Sequence, residues 1–302
     1  MTKESIKPAI ICFGEILWDN LPSGRRPGGA PMNVAYHLNR VGANSQLISR
    51  VGNDNSGREL REFSSLIGLR PTFLQTDNEY PTGEVMANVL ENHEVVYDIR
   101  LNAAWDYITW DPAFSQIVTE ADAFVFGSLA ARNNKSRETL LQLLEMASYK
   151  VFDINLRAPH YNKEVLQMLL PKANLLKMNS DELTLLTDWF YKSGAHESDS
   201  ISFLQQNFGI HDIIVTKGAE GASFYQGEMT YQGSAYQVEV ADTVGAGDSF
   251  LAAFLYQKLM GMPIPESLNY ALAMGGFIAS QQGACPPYTI ADLDQFIAKH
   301  SR

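Results

Sequence analysis

Short apolar runs alternate with amphipathic stretches along most of this chain, and that alternation restricts the fold more than any other feature. The runs AIICFG (9–14), AFVFG (123–127), VFDIN (151–155), LLKMN (175–179) and IIVTKG (213–218) are rich in β-branched, aromatic and aliphatic residues, and most end in Gly or Asn. Near-continuous apolar runs of this length predict strands buried on both faces. Between them, Leu140, Leu143, Leu144 and Ala147 recur at helical spacing within 136–149. Leu60, Phe63 and Ile67 do the same within 58–67, and Gly68 follows as a C-terminal stop. Strand–helix alternation of this kind predicts an α/β fold: a three-layer αβα sandwich around a mainly parallel sheet. Two stretches break the rhythm. Residues 83–101, GEVMANVLENHEVVYDIRL, read as two alternating strands around the turn Glu91-Asn92-His93-Glu94. A hairpin sits badly in a parallel sheet, so it is expected to project as a small β lid. Residues 223–240 read as antiparallel strands as well.

The chain has 302 residues, 45% of them hydrophobic, which suits one large domain spanning 1–302. The formal charge is −11 and no basic run is present, so nucleic acid and anionic membrane are not expected partners. Cys12 and Cys285 are the only cysteines, and neither belongs to a C-x-x-C pair. Both read as small buried apolar residues, without a disulfide framework or zinc site. The apolar run at 9–13 is too short for a signal peptide, and no stretch approaches membrane-spanning length, so a cytoplasmic protein is expected.

The most specific segment is DTVGAGDSFLAAFL, residues 242–255. Gly245-Ala246-Gly247 lets successive backbone N–H groups converge on one anion, and the helix that follows adds the positive end of its dipole. Asp248 lies in the first turn of that helix. An anion nest beside a single carboxylate suits phosphoryl transfer to a hydroxyl, with the Asp taking the proton. A second segment, residues 26–57, holds the Gly28-Gly29 turn, Pro31 at a first helical position and Gly42 as a stop. Asn33 projects from the first turn of that helix, so an amide and bare N–H groups are offered to a polyol. Asp19 follows the first strand, where open α/β sheets bind ligands, and can accept from two neighbouring hydroxyls. Asn179 with Glu182 is close to a capping box, or alternatively orients water around Mg²⁺. Arg157, in the D-x-N-x-R run 153–157, can reach phosphate or a substrate hydroxyl. Neither G-x-x-x-x-G-K-[ST] nor a strand-borne G-x-G-x-x-G occurs.

The two long segments, in this order, resemble the two signature regions of ribokinase-like (PfkB-type) carbohydrate kinases. Gly28-Gly29 with Asn33 and Ala35, through Gly52-Asn53-Asp54 and Gly57, is similar to the first; D-T-x-G-A-G-D-x-F (242–250) is similar to the second. G-E-x-x-x-D (14–19), N-x-x-E (179–182) and T-K-G-x-x-G (216–221) fall in family order, so the resemblance spans nearly the whole chain. It implies a ribokinase-like fold with a lid formed by about 15–30 and 83–107. It implies ATP and Mg²⁺ as cofactors and a small-molecule sugar as acceptor. By it Asp248 is the base, and Gly245, Ala246 and Gly247 form the anion hole. Asp19, Gly28, Gly29, Asn33 and Arg157 face the sugar. Asn179 and Glu182 organise Mg²⁺ and phosphates, while Thr216, Gly218 and Gly221 line the nucleotide site. Asp242 and Val244 match the usual position of a monovalent cation, K⁺. Lid strands of this kind often pair between subunits, which allows a homodimer. Asn102-Ala103-Ala104-Trp105-Asp106 and the D-x-N-x-R run are similar to fructokinases, so D-fructose, giving fructose 6-phosphate, is the expected acceptor. 2-Keto-3-deoxygluconate kinase and ribokinase stay open as alternatives. A catalytically inactive sugar- or nucleotide-binding regulator is the reading from another class; a broken anion hole or missing base would mark it, and both are intact.

Overall fold

A computed structural model describes residues 7–21, 24–89 and 95–300. The strands are β1 (Ala9–Phe13), β2 (Leu17–Leu21), β3 (Gly24–Gly28), β4 (Asn44–Gly52), β5 (Leu74–Asp77), β6 (Gly83–Val89), β7 (Val95–Ile99), β8 (Ala123–Gly127), β9 (Lys150–Asp153), β10 (Leu175–Asn179), β11 (Asp212–Thr216), β12 (Ala222–Gln226) and β13 (Met229–Gly233). The helices are α1 (Ala30–Val41), α2 (Asn55–Leu66), α3 (Pro112–Thr119), α4 (Asn134–Leu144), α5 (Lys163–Leu169), α6 (Ser180–Phe190), α7 (Glu197–Phe208), α8 (Ala246–Leu259), α9 (Ile264–Ala279) and α10 (Ile290–His300).

Nine strands form one sheet in the order β13-β12-β11-β10-β9-β8-β1-β4-β5, and four form a second in the order β3-β2-β6-β7. In the large sheet every pair from β11 to β5 is parallel, and the β11–β12 and β12–β13 pairs are antiparallel, so β12 alone among these strands runs the other way. The apolar runs alternate between two cores, as a strand's two-residue period requires. Ile10 and Cys12 of β1, with Ala123 and Val125 of β8, pack into the core shared with α1, α8 and α9. Ile11, Phe13, Phe124 and Phe126 pack into the opposite core, with α3, α4, α5, α6 and α7. Both faces of the sheet are therefore covered, which is the three-layer arrangement. In α8 residues 249–255 are all buried, so this helix is not the one-faced amphipathic element that its spacing suggests.

The second sheet comes from residues 17–28 and 83–99. Its strands β6 and β7 are antiparallel, with Val85 opposite Ile99; the expected turn 91–94 lies outside the described residues. Leu17, Val85 and Ile99 bury one face against Ala103, Trp105 and Leu129. Arg132 lies 4.0 Å over the Trp105 ring and pairs with Asp106 at 2.7 Å, so the 102–106 stretch braces the base of this sheet. Several boundaries differ from those read in the sequence. The helix expected over 136–149 runs Asn134–Leu144, because Asn133 caps it by accepting from Lys135 N at 2.9 Å. The antiparallel region expected over 223–240 ends at Gly233, and an irregular segment leads from there to α8. Asp19, expected just after the first strand, lies inside β2, paired with Arg26 and Val85.

Candidate active site

Parallel strands place their C-terminal ends at one edge of the sheet, and the chemistry-bearing residues gather there. Gly245, at φ 80°, is the N-cap of α8, and a Cβ on it would lie 2.6 Å from Ala284 Cα, so only glycine suits this turn. Ala246 and Gly247 then open α8, with the Ala246 N–H donated to Thr243 O at 3.3 Å. Asp248, half-buried in the first turn, accepts from Asn33 Nδ2 at 2.8 Å across 215 residues of sequence. That contact joins the two segments singled out in the sequence. Burial raises the Asp248 carboxyl above its ordinary range and nearby Asp153 adds to the rise, against the pull of Lys177, the Asn33 hydrogen bond and Arg157.

Asp19 lies against the backbone of Gly28: a Cβ there would come within 2.1 Å of Asp19 Oδ2. The glycine at 28 thus serves the carboxylate rather than a turn, since Gly28 is paired with Leu17 in β3; Gly29 makes the turn as N-cap of α1. Burial raises the Asp19 pKa to about 6, with Arg157 opposing the rise and Asp248 adding to it. Arg157 is exposed and its charge acts on Glu15, Asp19 and Asp248 alike.

At the start of α6 the arrangement is structural. Asn179 and Glu182 form a full capping box, each accepting from the other's backbone N–H at 2.8 Å. The second Glu182 oxygen accepts from Leu156 N at 2.7 Å. Each oxygen keeps a lone pair, which fits a metal reached through water. No cluster of three or more His, Cys, Asp or Glu that could hold a metal occurs among the described residues. Asp242 accepts from Val244 N at 3.0 Å and from Gly283 N at 3.1 Å, and Arg26 Nη1 lies 3.7 Å from it. Thr216 ends β11, and Gly218 and Gly221, both at positive φ, bound the short turn that follows it.

Three features escaped the sequence reading. Lys177 and Asp153 form a buried pair at 2.8 Å under the start of α8, and a Cβ at Gly247 would lie 3.5 Å from Lys177 Nζ. A lysine inside the apolar run LLKMN was its one signal, since a buried charge needs a partner. Cys285, expected to be merely apolar, is half-buried and donates to Asn33 Oδ1 at 3.3 Å. Glu15 is 4% exposed; one of its oxygens accepts from Ala30 N at 3.3 Å and the other has no partner among the described residues. Burial raises its pKa from 4.5 to about 7. A carboxyl raised on folding adds stability at low pH that is lost as pH climbs through the folded value. Wild-type protein should therefore lose melting temperature between about pH 5 and 8, by up to about 3 kcal/mol of stability. Glu15→Gln, which can still accept from Ala30, should flatten that slope; equal slopes in melting scans of the two proteins would refute the assignment.

The profile of the pfkB family carbohydrate kinases matches residues 23–291. The chain is 26% identical to probable fructokinase-7 of Arabidopsis thaliana, over 97% of this chain and 93% of that one. It is 27% identical to aminoimidazole riboside kinase of Salmonella typhimurium, over 91% and 89%. A double-mutant fructokinase of Vibrio cholerae O395, solved with fructose, ADP and potassium ion, superposes with TM-score 0.82 at 22% identity, over 96% of this chain and 98% of that one. Among the described residues no helix is long and apolar enough to cross a membrane.

Proposed function

Because the chain belongs to the pfkB family of carbohydrate kinases, we propose that it transfers the γ-phosphoryl group of ATP to the 6-hydroxyl of D-fructose with Asp248 as base. The observation that carries this reading is the Asn33–Asp248 hydrogen bond at the N-terminus of α8. It sets the amide of the sugar-facing helix, a carboxylate and the anion-binding amides of residues 245–247 side by side. Asp248 takes the hydroxyl proton, the sugar oxygen bonds to the γ-phosphorus, and the bond from phosphorus to the bridging oxygen breaks, leaving ADP. The amides at 245–247 and the dipole of α8 stabilise the charge that spreads over the phosphoryl oxygens. Mg²⁺, when bound, neutralises phosphate charge, with Asn179 and Glu182 ordering its water. Thr216, Gly218 and Gly221 border the nucleotide, and the loop of Asp242 and Val244 is the place for K⁺. The second sheet serves as the lid, excluding water that would otherwise compete for the phosphoryl group. A cytoplasmic location belongs to the same proposal, since the enzyme draws on the ATP pool.

Fructose is favoured by Asp19 and Arg157, whose charges act on one another, lining one polar site. Asp19 spans two adjacent hydroxyls, and Asn33 with the backbone at Gly28 and Gly29 holds a third. A wrong sugar leaves these groups unpaired, which gives large discrimination. The test is kcat/KM with ATP for D-fructose, ribose, 2-keto-3-deoxygluconate, aminoimidazole riboside and adenosine in one buffer. D-fructose should lead; a tenfold advantage for any other acceptor would reject the substrate and leave the class intact. Asp19→Ala should raise KM and lower kcat together, with about a 10²-fold loss in kcat/KM, because a displaced hydroxyl spoils alignment as well as affinity. A change confined to KM would mean that Asp19 binds without aligning.

A further inference from the structure

The segment 284–288 is fastened to one face of α1 at four points. His37 Nε2 lies 2.8 Å from Ala284 O, and His37 Nδ1 lies 2.9 Å from Tyr288 OH. Tyr36 OH donates to Pro286 O at 2.5 Å, and Cys285 Sγ donates to Asn33 Oδ1 at 3.3 Å. Three of these contacts hold backbone or a buried ring. The fourth ends on Asn33, whose amide donates to Asp248, so a relay runs from Cys285 through Asn33 to Asp248. We propose that Cys285 is a positioning residue for phosphoryl transfer: its thiol locks the Asn33 amide with the N–H side toward Asp248.

The proposal rests on Asp248 being the base. An amide can present either its N–H₂ or its oxygen to a neighbour. Toward an ionised Asp248 the N–H₂ side is preferred. Once Asp248 has taken a proton, a flipped amide would accept from the new carboxylic O–H and stabilise the acid. The Cys285 thiol opposes that flip, because it needs the amide oxygen as its acceptor. Burial and nearby Asp248 hold the thiol pKa well above its usual value, so it stays a protonated donor. The Asn33 hydrogen bond is among the causes that lower the Asp248 pKa. Without the thiol the protonated form gains a partner, the Asp248 pKa rises, less of it is ionised at low pH, and the acid limb of the rate profile moves to higher pH. The other groups around the relay are Asp153, Lys177 and Arg157 at Asp248, Glu15 and Asp19, which feel the Asp248 charge, and Arg40 at Cys285 and His37. All of them are retained in the variants below, so differences between profiles report the relay.

The experiment is the pH profile of kcat/KM from pH 5 to 9 for wild type, Cys285→Ala, Cys285→Val and Cys285→Ser, with Asp248→Asn beside them. Cys285→Ala should move the acid limb up by about 0.5–1 pH unit and cost about 3- to 10-fold near pH 6, the range of one weak hydrogen bond, with little loss at pH 8.5. Cys285→Val fills the space without a donor and should match Ala, which keeps the test available if Ala packs poorly. Cys285→Ser restores a donor and should return the limb to the wild-type position. A limb that stays in place in Ala and Val, or a uniform loss at all pH values that Ser does not rescue, overturns the relay. Near-normal turnover by Asp248→Asn would instead overturn the base assignment on which it stands.

Discussion

Asp248→Asn is expected to lower turnover by about 10²- to 10⁴-fold while sugar binding survives. The substitution keeps the shape of the side chain. Its carbonyl oxygen can still accept from Asn33 Nδ2, which lies 2.8 Å from Asp248 Oδ2 in the native protein. Only proton acceptance is lost. The fold should not suffer. The Asp248 pKa is raised, first by burial and then by Asp153, so ionising it costs folding energy above that raised value. A neutral amide avoids the cost, and the variant should melt at the wild-type temperature or above at pH 8. Calorimetric sugar binding, steady-state turnover and melting measured on one preparation separate these effects. Near-normal turnover would exclude Asp248 as the base.

Gly247→Val should abolish most ATP turnover, by about 10²-fold or more, with melting within a few degrees of wild type. A Cβ at this position meets Lys177 Nζ at 3.5 Å and Cε at 4.0 Å, ordinary contacts with the end of a flexible chain. The residue is exposed and helical, so the backbone accepts a side chain there. The methyl groups then stand beside the amides at the start of α8, where we propose that the phosphoryl oxygens bind. Gly245→Ala is the contrasting control. Its φ of 80° and the 2.6 Å approach to Ala284 forbid a side chain, so both stability and activity should fall. A collapse of melting in Gly247→Val as well would make the anion-hole glycine structural rather than functional.

The second sheet is the part of the fold that we propose as the lid. Its inner row is apolar where Val85 and Ile99 meet Trp105, and turns polar at Asp19. That row can cover a polyol while keeping its own base packed.

Sequence alone determined the features that depend on neighbours in the chain. The two-residue period of AIICF and AFVFG sets which side chains face which core, and the alternation with helical spacing leaves a covered parallel sheet as the stable outcome. The run GAGD ahead of an apolar helix sets a glycine-capped helix start with a carboxylate in its first turn, because cap, dipole and glycine act over only a few residues. Tertiary structure decided what depends on charge, burial and distant partners. Lys177 and Asp153 looked like details of two strands until adjacent parallel pairing set them on the same face under α8. Asp19 was legible as a residue following the first strand, and its place inside a second sheet came only when β2 joined β6 and β3. Cys285 looked like an apolar filler until the chain folded back 252 residues to meet Asn33. Such pairings are invisible to local pattern because a hydrogen bond or an ion pair acts only at contact distance, and contact between remote residues exists only after the core has closed.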